Sequence, residues 1–204
     1  MTRVFALTEA ARADLPPPCV SCVFWQHERA VTDERRKEAW VDSFERRHGA
    51  FGRVIHDDGD FRGMVQYGPA SAFPRARLLP AGPPSRDAAL ITCTYMTGDD
   101  PEGNCERLLL EALADLKARG VAAVEAFALG HHDDVPRRER FLGHHTLFDR
   151  EFLAALGFAP ARAHGHVCLM RIELGSLVPG PAIAERARRA LARARIPRTR
   201  PATA

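Results

Sequence analysis

"TGDDPEGNCERLLLEALADLKARG" (residues 97–120) reads as a short acidic turn followed by a helix. An apolar run, Ala88–Met96, lies directly before it, and a second run, "VAAVEAFAL" (residues 121–129), directly after. Leu108, Leu109, Ala112, Leu113 and Leu116 recur at helical spacing, which predicts a helix over Asn104–Arg119 with one buried stripe. Gly120 supplies its stop. The first run predicts a strand. The second shows little polar alternation and predicts a strand buried on both faces. Strand, helix and strand in that order predict parallel neighbours joined by a right-handed crossover. The start of such a helix has unpartnered N–H groups and a partial positive charge, so it suits an anion such as a pyrophosphate. Here the turn carries Asp99, Asp100 and Glu102 with only two glycines.

Moving outward, residues 1–31 show no period and predict an irregular segment, extended at Pro16–Pro18. Asp33 is a helix cap, with Trp40, Val41 and Phe44 on one face of the helix that follows. Arg53–His56 and Phe61–Tyr67 predict a hairpin around the turn 57–60. Residues 68–87 are rich in Pro, Ala and Arg and predict a long loop, a setting that often binds ligands. After residue 129 comes a polar insert, 130–148, holding His131, His132, His144 and His145. Asp149 then caps a short helix, "REFLAAL", which Gly157 stops, and His166–Leu174 predicts a last strand. The Ala/Arg-rich tail beyond Gly180 reads as a helix to about Ile196, before Pro197. Three segments result: 1–31 irregular, 32–175 one α/β domain with a mixed central sheet flanked by helices, and 176–204 a basic helical or disordered tail.

The chain has 204 residues, of which 46% are hydrophobic, enough for one ordinary core. Seven arginines against one glutamate follow Gly180, so the tail is basic while the rest is mildly acidic. The five cysteines are odd in number, and Cys93, Cys105 and Cys168 fall in apolar or helical patterns. They read as reduced thiols, which points to the cytoplasm. No run approaches the ~18–20 apolar residues of a membrane span. Cys19-x-x-Cys22 is half of a zinc knuckle, but a second pair is missing, so packing is the expected role and no metal is expected.

The order of elements resembles the GNAT superfamily of acyl-coenzyme A-dependent N-acetyltransferases. So do Cys19-Val20-Ser21-Cys22-Val23-Phe24-Trp25, Pro74-Arg75-Ala76 and Phe152-Leu153-Ala154-Ala155-Leu156-Gly157-Phe158, which fit an actinobacterial-type subgroup. The resemblance spans roughly residues 19–174. It implies a mixed sheet whose fourth and fifth strands splay, with the acyl group in the gap and the pantetheine arm along the fourth strand. Tyr95, Met96 and Thr97 would then border that arm. Gly103, Asn104, Cys105, Glu106 and Arg107 would offer backbone N–H groups to the pyrophosphate of acetyl-CoA. The family's loop, [QR]-x-x-G-x-[GA], falls here on Pro101, Asn104 and Glu106, and all three depart from it. The tyrosine that often serves the leaving thiolate falls on Leu153.

By position the resemblance makes Glu125, alone in an apolar strand, the candidate general base. A half-buried carboxylate has a raised pKa that suits a base, yet an ion-pair partner would occupy the same kind of position. The four histidines of the insert border the expected acceptor side and are the other candidates. The reading that results is an acyl-CoA-dependent N-acyltransferase for an amine, small-molecule or protein. The alternative is a non-catalytic module of the same fold that has lost normal coenzyme A binding. No membrane or nucleic-acid partner is expected, and a homodimer is compatible with the sequence.

Overall fold

A computed structural model describes residues 1–130 and 135–175. The predicted tail helix, the Arg-rich segment and His131 and His132 lie outside the described residues. Among the described residues a single mixed sheet is built from β1 (Thr2–Leu7), β2 (Gly52–Asp57), β3 (Asp60–Pro69), β4 (Ala88–Met96), β5 (Ala123–Leu129), β6 (Gly143–His145), β7 (Phe148–Asp149), β8 (Ala159–His164) and β9 (Val167–Glu173). Its order is β1-β2-β3-β4-β5-β9-β8, with β6 on β4 and β7 on β5. β4 and β5 are the expected parallel neighbours, and the hairpin β2–β3 forms as predicted.

Helix α3 (Pro101–Ala118) crosses from β4 to β5, and α4 (Arg150–Ala155) packs on the same face. The predicted stripe on α3, Leu108, Leu109, Ala112, Leu113 and Leu116, is buried there. Asp115 of α3 is tied to the sheet by Arg53 at 2.7 Å and by the Tyr67 hydroxyl at 2.8 Å. The opposite face is covered by α2 (Glu34–His48) and by the chain between β1 and α2. Asp33 caps α2 by accepting from the Arg36 N–H, as its position before the helix predicts.

Four expectations are corrected. Residues 1–31 are not irregular: Thr2–Leu7 pairs antiparallel with β2 along its whole length, and its alternating burial marks a half-covered edge strand. Pro17 and Pro18 do not continue an extended run. They open α1 (Pro17–Ser21), since proline is tolerated in a first turn, where N–H groups have no partner. β8 went unread because Ala159–His164 has no large apolar side chain and no alternation of apolar with polar burial. It is an exposed edge strand held by pairing with β9. The loop 68–87 is a brace. Arg75 donates to the carbonyls of Phe24, His27 and Ala30 and stacks on the Phe24 ring, so "PRA" fastens the segment "CVSCVFW" to the domain.

Candidate functional site

β4 and β5 pair only at their first halves, Ala88–Ile91 against Ala123–Ala126. Beyond that they part. β6 enters the gap and pairs antiparallel with Thr94–Met96, while β7 pairs with Ala128 and Leu129. Just before the split β4 carries a bulge: Gln66 faces Cys93 and Tyr67 faces Ile91, which leaves Thr92 over. Bulges re-aim side chains and concentrate beside sites. The Thr92 hydroxyl bonds both the Gln66 carbonyl and its side-chain oxygen, at 3.2 Å each, and Gln26 donates to the same side-chain oxygen at 2.8 Å.

On the α2 face this network borders a small cavity walled by Cys19, Cys22, Trp25, Lys37, Cys93 and His144 with apolar neighbours such as Leu7 and Met64. The cysteine pair of the N-terminal segment is therefore part of a cavity wall. Among the described residues no three His, Cys, Asp or Glu side chains gather to hold a metal. His144 is exposed overall, with its ring against the cavity. Its packed side, then His145 and Lys37, hold its pKa below the usual histidine value. His145 contacts the Leu142 carbonyl at 3.0 Å.

The residues expected at the anion site do not form an open cradle. α3 begins at Pro101, three residues earlier than predicted, because Asp100 caps it and proline is suited to its first position. Asp100 accepts from the Gly103 N–H at 3.1 Å with its carboxylate and from the Asn104 N–H at 3.1 Å with its carbonyl. Pro101 has no N–H. A side chain at Gly103 would collide with that carboxylate, 2.4 Å from an ideal Cβ. Cys105 is buried in the core, and Glu106 and Arg107 lie a full turn inside the helix rather than at its mouth. Arg62 packs beside Gly98, Arg138 donates to the Gly98 carbonyl at 2.7 Å, and Arg137 grips Glu102 at 2.6 and 2.8 Å. Three arginines therefore ring the turn, a feature that sequence distance concealed.

Along the split, Tyr95 faces His144 and Met96 faces Gly143 in register. Met96 is fully buried, and Thr97 bonds the Arg62 and Phe61 carbonyls. Glu125 is elsewhere. It faces Leu90 in the paired half, fully buried, and accepts from the Ser85 N–H at 2.8 Å, the Ser85 hydroxyl at 2.6 Å and Arg171 at 3.3 Å. Arg171, shared with Asp87 and Glu173, is held above its ordinary pKa by Asp87 first. Both oxygens of Glu125 are engaged, by Arg171 and by the Ser85 hydroxyl and N–H, the ion-pair setting that the sequence left open beside the role of base. Leu153, at the expected tyrosine position, is core.

The fold as a whole also occurs in solved structures. An N-acetyltransferase from Staphylococcus aureus Mu50 matches with a TM-score of 0.52 at 10% identity, over 85% of this chain and 99% of that one. The chain has the GNAT acetyltransferase fold. A protein from Desulfovibrio desulfuricans assigned to the GNAT family matches at TM-score 0.50 and 17% identity, over 85% of this chain and 99% of that one. A protein from Salmonella typhimurium assigned as an acetyltransferase, determined with acetyl-CoA as its cofactor, matches at TM-score 0.50 and 13% identity, over 88% and 98%. No protein-family model and no curated protein matches the sequence. Among the described residues no helix is long and apolar enough to cross a membrane.

Proposed function

We propose that the chain is an acyl-CoA-dependent N-acyltransferase for an amine, with acetyl-CoA as the first donor to test. One observation carries the reading: β4 and β5 split beside a bulge that opens on a walled cavity. A thioester arm laid along Thr94–Met96 would use the backbone groups that Gly143–His145 now pairs with, so the donor and β6 compete for one edge. The diphosphate would meet Arg62, Arg137 and Arg138 at the turn, with side-chain cations in place of a glycine-rich cradle. Of the two tyrosines, Tyr67 is committed to Asp115, which leaves Tyr95 as the hydroxyl to protonate the leaving thiolate.

Acetyl-CoA should raise the melting temperature, since a ligand at a hundred times its Kd stabilises the native state by about 2.7 kcal/mol. It should also expose the amides of Gly143–His145 to hydrogen exchange. The second reading, a non-catalytic binding module, is favoured by Asp100 and β6, which fill both the helix mouth and the gap with the chain's own groups. It predicts no thermal shift with acetyl-CoA at any concentration up to millimolar.

A further inference from the structure

The cavity wall holds two polar groups that the reading above leaves idle. Lys37 is 4% exposed, on the inward stripe of α2 with Val41 and Phe44. Its amine has no carboxylate and no hydrogen-bond partner among the described residues, only the Trp40 ring 5.2 Å away. Trp25 is 1% exposed, and its indole N–H is buried without an acceptor. A buried indole N–H without an acceptor needs a reason.

The sequence sharpens the point. Of 29 lysines and arginines only Lys37 and Lys117 are lysine. Wherever this chain needs a fixed cation it uses arginine, which stays charged in any protein setting. A buried lysine can be neutral, and a neutral amine is a nucleophile. Burial lowers the pKa of Lys37, while it pushes the neighbouring Cys19 and Cys93 thiols up to about 12 and so keeps them protonated and inert. Against those two thiols the amine is the better nucleophile of this wall, which it shares with the partly buried Cys22.

The cavity also adjoins the split. His144 belongs both to the strand that occupies the split and to the cavity wall. A donor that displaces β6 removes that wall.

We propose that Lys37 is an internal acyl acceptor, modified by an acyl thioester lodged in the β4–β5 split, with the Trp25 N–H receiving the carbonyl oxygen. This rests on the acyl-CoA reading above. The amine nitrogen bonds to the thioester carbonyl carbon, the carbon–sulfur bond breaks, and the amine's proton ends on the departing thiolate. The products are a Lys37 amide and free thiol, with no redox change. The amide is neutral at every pH, so acylation removes a titratable group from an apolar setting.

The test is to incubate the full chain with acetyl-CoA and follow intact mass and peptide maps with time. We expect one acetyl group per chain on Lys37, arriving at least about tenfold faster than on exposed Lys117, since the thioester in the split is held beside Lys37 alone of the two. Lys37→Met should abolish it, and Trp25→Phe should slow it about tenfold or more. Acetyl-CoA binding, seen as a thermal shift, without acetyl on Lys37 overturns the inference and leaves the acyl-CoA reading standing. So does equal labelling of Lys117. An unchanged rate in Trp25→Phe overturns the indole's part. No binding at all overturns both.

Discussion

The two halves of the β4–β5 pair are built on opposite terms. In the first half the strands bond directly, and the buried carboxylate between them, Glu125, is satisfied by Ser85 and Arg171. In the second half they part, a borrowed strand fills the space, and the adjoining cavity is lined by an indole N–H without an acceptor and by an amine whose one contact among the described residues is the Trp40 ring. A polar group that has every partner holds a fold together. One that lacks them awaits something the chain does not supply. The contrast teaches where to look for chemistry: Glu125, the most conspicuous charge in an apolar strand, is fully partnered, whereas Lys37, the proposed acceptor, is not.

Breaking the closed half should have the largest effect. Glu125→Ala would strand Arg171 among fewer partners and leave the Ser85 hydroxyl and N–H unbonded, a cost of about 3–5 kcal/mol. Chemical denaturation should read it. Acetyl-CoA affinity per folded molecule should not change. Loss of affinity or turnover at full stability would return Glu125 to the role of base.

The open half should respond with the opposite sign. Lys37→Met removes a buried amine without a partner and keeps most of its volume, so the variant should be more stable by about 1–3 kcal/mol at neutral pH. The pH dependence gives the finer signature. The folded pKa of Lys37 lies below its unfolded 10.5, so between those values the unfolded chain binds more protons and stability rises with pH. The neighbours act in other windows: His144 below the usual histidine range, and Cys19 and Cys93 above about 9, where they lower stability as pH rises. Cys22 and Arg12 also face the amine. As pH rises toward 10.5, then, wild type should gain stability relative to Lys37→Met. A constant difference all the way to that pH would mean that Lys37 keeps its ordinary proton affinity.

The borrowed strand can be tested at Gly143, whose φ is +85° with open space where a side chain would stand. Valine there is strained by about 1–2 kcal/mol through the backbone alone. If β6 competes with the donor, Gly143→Val should tighten acetyl-CoA binding by up to about tenfold, since loosening the occupied form raises the competent fraction. Unchanged or weaker binding would make β6 a permanent part of the sheet.

Much of this arrangement was legible in the sequence, for reasons that can be named. Periodic apolar residues gave α3 and its flanking strands, and Asp33 and Asp149 marked helix starts, because these signals are local. β8 was missed because an edge strand needs little apolar content when a neighbour supplies the hydrogen bonds, and β1 because its six residues are too short a run to show a period and their pairing partner, β2, lies some fifty residues away. β6 was missed because three residues, Gly143–His145, carry no period at all. Their conformation is set by the free edge of β4. Lys37 sits four residues before Val41 on the very stripe that defined α2, yet a charged residue there reads as exposed, since lysine is almost never fully buried. The N-terminus of α3 turned on one residue. Counting from Asn104 put Glu106 at the mouth, whereas Asp100 and Pro101 start the helix a turn earlier.

That residue supplies the smallest and most specific test. Asp100 closes α3 with its own carboxylate, and with Glu102 beside it the helix mouth faces negative charge. Asp100→Ala should cost about 1 kcal/mol as a lost N-cap. It should at the same time free the Gly103 N–H and remove one anion from the place a diphosphate would take. The two effects have opposite signs and can be read apart: lower stability without ligand, and a larger thermal shift with acetyl-CoA. Asp100→Asn separates them further, because asparagine caps about as well as aspartate and carries no charge. If repulsion is what limits binding, Asn should recover most of the stability while keeping the improved affinity, and the improvement should shrink as salt is added. Equal affinity in wild type, Ala and Asn would mean that the donor's phosphates do not sit at this helix, and that Arg137 and Arg138 hold the turn closed for the fold alone.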